Sequence, residues 1–343
     1  MAEQSLAVKY RPKTFDDVSE QESVKKILKQ QLASDTVKNA YLFVGGAGTG
    51  KTTCARIFAN EINKGKGEPI ELDAASNNSV DDVRLIIQQS KTQSLDSEYR
   101  MFIIDECHAL SNNAWQAFLK ILEEPPKKSI FIFCTTDPQK IPKTILSRVQ
   151  RYDFKRISQE GICRRLELIY QTETVENGWD VKLDYKDGME YLAKIADGGM
   201  RDAITRMDKC LAYSTELTVE NIVKALGTVD YETFFELSDA IHNKDSAYLI
   251  KIIEMVHSEG KDLKQFIKLY LAFLLDIIKY DITKSFEFLQ MPNIYEVALQ
   301  NYERGWFEDC QRLLDVVANL NSDVKWDTQP KITIEATLLR VIL

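Results

Sequence analysis

Residues 45–52 read Gly45-Gly46-Ala47-Gly48-Thr49-Gly50-Lys51-Thr52, the pattern GxxxxGK[ST], set between the apolar run Tyr41-Leu42-Phe43-Val44 and a helical pattern starting near Thr53. A strand, a glycine-rich turn and a helix N-terminus in that order aim successive backbone N–H groups at a polyphosphate. The spacing predicts that Lys51 reaches the β- and γ-phosphates and that the Thr52 hydroxyl meets Mg²⁺. ATP with Mg²⁺ is the expected ligand pair, held by Gly45 to Thr53. A second apolar run, Met101-Phe102-Ile103-Ile104, ends in Asp105-Glu106. Both carboxylates then emerge at the carboxyl end of a buried strand, where ligands of open α/β sheets bind. Asp105 is expected to hold the metal through its water shell, and Glu106 to orient and activate the attacking water. A third run, Ile130 to Cys134, ends in Thr135-Thr136-Asp137. A hydroxyl at that strand end can contact the γ-phosphate or the lytic water. Cys107 and His108 follow the acidic pair, but one Cys and one His at this spacing make no ligand set, so packing beside the strand is expected.

These groups must be positioned by a sheet. From Tyr41 to about Phe154, short β-rich runs alternate with helical segments, the signature of a parallel sheet covered by helices. Ile70-Glu71-Leu72 is the remaining run. Continuous apolar runs suit central strands buried on both faces. After about Ser158 the strands stop, and apolar residues recur at helical spacing, as in Leu166, Ile169 and Tyr170. A Gly198-Gly199 break and a Gly227-Thr228 break punctuate this helical part. Boundaries are expected near residues 158 and 225, giving segments 1–158, 159–225 and 226–343. In the last segment Leu249, Ile252, Ile253 and Val256 share one face, whereas Phe266 to Ile278 is apolar around most of its circumference. Such a helix must be covered on several sides, either within its domain or by another subunit.

Composition narrows the function classes. The chain has 343 residues, too long for one ordinary core. Its formal charge is 44 − 52 = −8, which opposes indiscriminate binding to nucleic acid, so any DNA contact must be local. The apolar stretch Phe266 to Ile278 is shorter than a membrane span and carries Lys268 and Asp276, so no membrane association is expected. Met1 to Val8 lacks the features of a secretory signal, and a cytoplasmic location is expected. The six cysteines are scattered without a CxxC pair, which fits reduced thiols used as small core residues.

Several blocks together resemble the AAA+ ATPase subunits of sliding-clamp loaders, specifically the bacterial DNA polymerase III gamma/tau family, with replication factor C small subunits as more distant relatives. They are Lys9-Tyr10-Arg11-Pro12 with Thr14-Phe15, the glycine-rich loop, Asp73-Ala74-Ala75-Ser76-Asn77-Asn78, Ile104-Asp105-Glu106, Leu119 to Pro126, Thr135-Thr136-Asp137-Pro138, Ile141-Pro142 and Ser147-Arg148. The match is strong over about the first 210 residues and weak beyond. The resemblance implies an α/β P-loop AAA+ domain with a parallel sheet, then a small helical lid domain and an all-α collar domain. It implies that Tyr10, Arg11 and Pro12 lie near the adenine, that Thr136 is the polar sensor of the fourth strand, that Arg201 is the lid sensor and that Arg148 acts in a neighbour's site. Implied partners are a sliding clamp, primer-template DNA and other loader subunits in a pentameric spiral, homo- or hetero-oligomeric. Asn77, Asn78 and Ser79 could present a helix N-terminus to DNA phosphates, and simple N-capping explains them equally well.

The sequence departs from the family in three places. The family usually inserts a four-cysteine zinc module after the P-loop helix, whereas Asn60 to Asp73 holds no cysteine and runs through Lys64-Gly65-Lys66-Gly67. No zinc is expected. Ser147-Arg148 is followed by Val149 where the family has cysteine, and Arg148 still carries the charge. The sequence ends at Leu343 without the long tail that in tau joins polymerase and helicase, so a compact subunit is expected. Two other readings share the loop and the acidic pair: a ring-forming motor such as a branch-migration helicase, and a scaffold subunit that binds nucleotide without turning it over. The Ser-Arg and Asp-Ala-Ala-Ser blocks argue against the first, and intact Lys51, Asp105 and Glu106 against the second.

Overall fold

The computed structural model describes residues 4–92, 94, 96–180, 185–227 and 231–342, with the backbone alone at Asn293. Met1 to Glu3, Thr228 and Leu343 therefore lie outside the described residues. The chain divides into two compact units, Met1–Glu173 with Ala196–Asp208, and Thr174–Ile195 with Lys209–Leu343. That is a different partition from three consecutive segments, because a short stretch after residue 195 is grouped with the first unit.

In the first unit the four apolar runs form strands, and a fifth joins them: β1 Ala40–Gly45, β2 Ile70–Asp73, β3 Arg100–Asp105, β4 Ser129–Thr135 and β5 Gln150–Phe154. They make one sheet in the order β2-β3-β4-β1-β5, and every pairing is parallel. β4 is buried at all seven positions because helices cover both of its faces. Tyr41, Phe43, Phe58 and Ile103 belong to the core on one side, and Phe102, Trp115, Phe118 and Phe133 to the core on the other. β2 and β5 lie at the edges, and β5 alternates polar with buried residues, as a half-covered strand does.

This order sets the chemistry in place. β4 stands between β1 and β3, so the turn after β1 and the acids ending β3 flank the hydroxyls ending β4. All three leave the sheet at its carboxyl edge, where connections in a parallel sheet open a crevice.

Among the described residues of the second unit, the regular elements are all helices. Leu249, Ile252, Ile253 and Val256 are buried on one face of the helix Ser246–Ser258, as the spacing predicts. The helix Leu263–Thr283 packs against the helix Arg304–Asp323 and buries Phe266, Ile267, Tyr270, Phe273, Leu274 and Ile277. Its circumference is thus largely covered within its own unit, with Leu275 left 44% exposed. Asp276 is buried in the same helix, where its carboxylate accepts from the backbone N–H groups of Gln290 (2.7 Å) and Met291 (2.8 Å). Burial pushes that carboxyl above its ordinary value, and the two N–H donors with the Lys279 ammonium at 3.5 Å partly offset the cost. Among the described residues, no helix is long and apolar enough to cross a membrane.

Candidate functional site

The turn after β1 closes on a helix, Lys51–Ile62, and two of its glycines are required by geometry. Gly50, the residue before that helix, has φ +99°, where side chains are strained. Gly48 has φ +70°, and a Cβ on it would come within 3.0 Å of the Gly199 backbone. That approach is sealed by the Met200 N–H, which donates to the Gly48 carbonyl at 3.0 Å. The Lys51 ammonium folds back over the turn and donates to the carbonyls of Gly45 (3.0 Å) and Gly46 (2.8 Å). Burial pulls this ammonium below its ordinary value, opposed by the carboxylates of Glu106 and Asp105.

A cavity of about 500 Å³ opens over this turn, within the range of small-molecule sites. Gly48 to Thr53, Asp105 and Glu106 form its floor, and Tyr10, Arg11, Pro12 and Arg201 lie on its walls. Each predicted adenine-side residue and the predicted lid arginine thus shares one cavity with the glycine-rich turn. Arg148 is not among the lining residues. Its guanidinium donates instead to Glu123 Oε1 (2.7 Å) and to the Thr144 carbonyl (2.7 Å), at the surface.

The Thr52 hydroxyl donates to Asp105 Oδ2 at 2.8 Å, so the two expected metal ligands converge across the sheet. A hydroxyl and a carboxylate at one point are hard oxygen donors of the kind Mg²⁺ takes, with room for water and phosphate oxygens as further ligands. The residues fit that ion. Beside them, Glu106 has φ 44° and ψ 42°, a left-handed backbone for a non-glycine residue. Its Oε2 accepts from the Thr136 hydroxyl at 3.1 Å. His108, expected to pack beside the strand, also reaches this group: its Nδ1 lies 3.2 Å from Thr135 Oγ1 and 3.3 Å from Glu106 Oε2.

Sequence reading missed other residues that hold the site together. Gln21 is buried, and its side-chain amide donates to the Lys155 carbonyl (2.7 Å) while accepting from the Lys155 N–H (3.1 Å). The same amide lies 3.4 Å from the Thr49 carbonyl, tying the turn to the chain after β5. Arg165 lines the cavity and donates to the Tyr10 carbonyl at 2.8 Å. Neither residue stands in a local motif, and only the folded chain brings them to the site. Ser79 is a helix cap: its hydroxyl accepts from the Asp82 N–H at 3.2 Å, and the Ser79 N–H donates to Asp82 Oδ2 at 3.2 Å.

Among the described residues, no group of three or more His, Cys, Asp or Glu side chains could hold a metal ion. Burial pushes the Cys54 thiol up to about 12 and raises those of Cys107, Cys134 and Cys310 as well.

A parallel sheet with a phosphate-binding turn after its first strand and an acidic pair after its third defines a P-loop nucleotide-binding fold. The solved RuvB Holliday junction branch migration motor of Thermotoga maritima shares that fold at a TM-score of 0.51 and 18% identity, over 74% of this chain and 86% of that one. Residues 68–158 match the family "DNA polymerase III, delta subunit", and residues 217–343 match "DNA polymerase III subunits gamma and tau domain III". The chain is 33% identical to the DNA polymerase III subunit tau of Bacillus subtilis, over 99% of this chain and 63% of that one. It is 28% identical to the DNA polymerase III subunit gamma of Buchnera aphidicola, over 99% of this chain and 98% of that one. Over most of its length the chain is thus similar to gamma and tau subunits of DNA polymerase III at about 30% identity. It spans between half and two thirds of the length of relatives such as the Mycoplasma genitalium gamma/tau subunit (52%) and the Bacillus subtilis tau subunit.

Proposed function

We propose that this chain is an ATP-driven subunit of a sliding-clamp loader, which opens the clamp and places it on primer-template DNA during replication. The observation that carries the reading is the convergence of Thr52, Asp105 and Glu106 beside Lys51 on the floor of one cavity, in a chain similar to gamma and tau subunits over most of its length. Lys51 and the backbone of the glycine-rich turn bind the phosphates, and Thr52 with Asp105 hold Mg²⁺. Mg²⁺, when bound, neutralises charge on the β- and γ-phosphates. Glu106 orients the attacking water, Thr136 senses the γ-phosphate, and Tyr10, Arg11 and Pro12 flank the adenine. Arg201 contacts phosphate from the wall, and Arg148 serves a neighbouring copy. The finer organisation follows: an ATPase segment to residue 158, a helical lid to 225 and a collar that holds several chains in a pentameric spiral in the cytoplasm.

The energetic basis is differential affinity: an assembly closed on ATP grips clamp and DNA, and the assembly after hydrolysis does not. ATP turnover by the loader assembly should therefore rise when cognate clamp and primed DNA are both added. A branch-migration motor would respond to junction DNA and ignore the clamp, and a scaffold subunit would show no turnover at its own site. A clamp-independent rate would sink the loader reading.

The absence of paired cysteines, and of any cluster of three or more His, Cys, Asp or Glu side chains among the described residues, supports a chain without a zinc module. Metal analysis of dialysed protein should find well under one zinc per chain. One tightly held zinc per chain would overturn this.

A further inference from the structure

We propose that His108 is a positioning residue for Glu106, an inference that rests on the catalytic reading of Glu106 above. The side chain of Glu106 comes from a backbone in the left-handed region, at the turn between β3 and the short helix Cys107–Ala109. Such a residue has no strand or helix ladder of its own to fix its side chain, so its direction is set by what the carboxylate touches. Two groups meet the same oxygen. The Thr136 hydroxyl donates to Oε2 at 3.1 Å, and His108 Nδ1 stands 3.3 Å from that atom. No hydrogen bond from a described residue reaches Oε1. One oxygen is thus held, and the other keeps its lone pairs for the water it must orient.

The imidazole is itself held. Thr135 is fully buried at the end of β4, its Oγ1 accepts the Asp137 N–H at 3.0 Å, and His108 Nδ1 lies 3.2 Å from that same oxygen. Nδ1 therefore faces two oxygens, one of them on a carboxylate. A bare Nδ1 would set its lone pair against a negative oxygen, so the field of Glu106 selects the tautomer with the proton on Nδ1. With that proton in place His108 attracts Oε2 and bridges it to β4, the strand between the phosphate turn and the acidic pair. The His108 side chain is 20% exposed, which leaves it near water without surrendering it to solvent.

The contacting atom dictates the test. Asparagine carries its amide nitrogen the same number of bonds from Cβ as Nδ1, whereas glutamine carries it one bond farther. His108→Ala should lower the kcat for ATP in the loader assembly by about tenfold or more, a fraction of what a general base contributes, with the Kd for ATP unchanged. His108→Asn should recover most of the loss and His108→Gln little of it. If the alanine variant unfolds, the Asn and Gln pair, both neutral and polar, still decides the matter. Equal rates for Asn and Gln, an unchanged kcat in His108→Ala, or a loss carried wholly in Kd would overturn the proposal. Glu106→Gln assayed alongside separates the two layers: if it keeps full turnover, the role of Glu106 itself fails, and if it is inactive while His108→Ala is normal, only the role of His108 fails.

Discussion

Arg148→Ala should fold and bind ATP yet lose stimulated hydrolysis by about 10³ to 10⁵, or about 4 to 7 kcal/mol of transition-state stabilisation. The guanidinium sits outside the cavity of its own chain, in a pair with Glu123 whose side chains are 33% and 52% exposed. A pair in that position contributes at most about 1 kcal/mol to stability, so neither folding nor release of the arginine toward another chain is costly. In a loose phosphoryl-transfer transition state, charge spreads over the γ-phosphate oxygens, and a planar fork meets it better than an ammonium. Arg148→Lys should accordingly recover only part of the rate. The deciding experiment mixes two inactive chains, Arg148→Ala and Lys51→Ala, so that some interfaces pair an intact phosphate loop with an intact neighbouring arginine. Partial return of activity places the arginine in trans. If the variants demonstrably co-assemble and nothing returns, Arg148 serves its own chain or is structural.

Binding and turnover should separate at the acidic pair. Glu106→Gln keeps the size of the side chain and still offers Thr136 an acceptor oxygen, but its amide cannot take a proton from water. ATP affinity should stay within about twofold of the parent, since the role proposed for Glu106 lies mainly in the transition state, while hydrolysis should fall by about 10² to 10⁴. Lys51→Ala should do the reverse and weaken binding itself, because the role proposed for the ammonium is to meet phosphate in the ground state. It also removes the two bonds to the Gly45 and Gly46 carbonyls. Nucleotide titrations and single-turnover rates on the two variants check this. Near-normal turnover in Glu106→Gln would show that another group handles the water.

What could be read from the sequence divides along physical lines. The central strands announce themselves as unbroken apolar runs because both faces are covered, and Val44 and Ile104 precede the loop and the acids without interruption. β5 was not evident, since Gln150-Arg151-Tyr152-Asp153-Phe154 alternates and sits at an edge, where one strand's pattern blends into the loop before it. The phosphate turn and the acidic pair are local in sequence and so could be found there. Gln21 and Arg165 could not, because they act through long-range bonds, Gln21 to Lys155 and Thr49 and Arg165 to Tyr10, that leave no spacing to recognise. His108 was visible as a residue, but its meeting with Thr135 and Glu106 depends on the register that sets β3 beside β4.

The bond between Met200 and Gly48 has a consequence for how the chain is made. The phosphate turn is synthesised early, but the backbone that leans against it emerges only after the whole sheet and the helix Gln159–Asn177 have been made. Until Ala196–Asp208 returns, the turn lacks one wall and Arg201 is missing from the cavity. Long-range closure of this kind is slow compared with local helix formation, and the exposed carboxyl edge must wait for it. Nucleotide capture by a nascent chain would thus mark the completion of this unit, later than the formation of its strands.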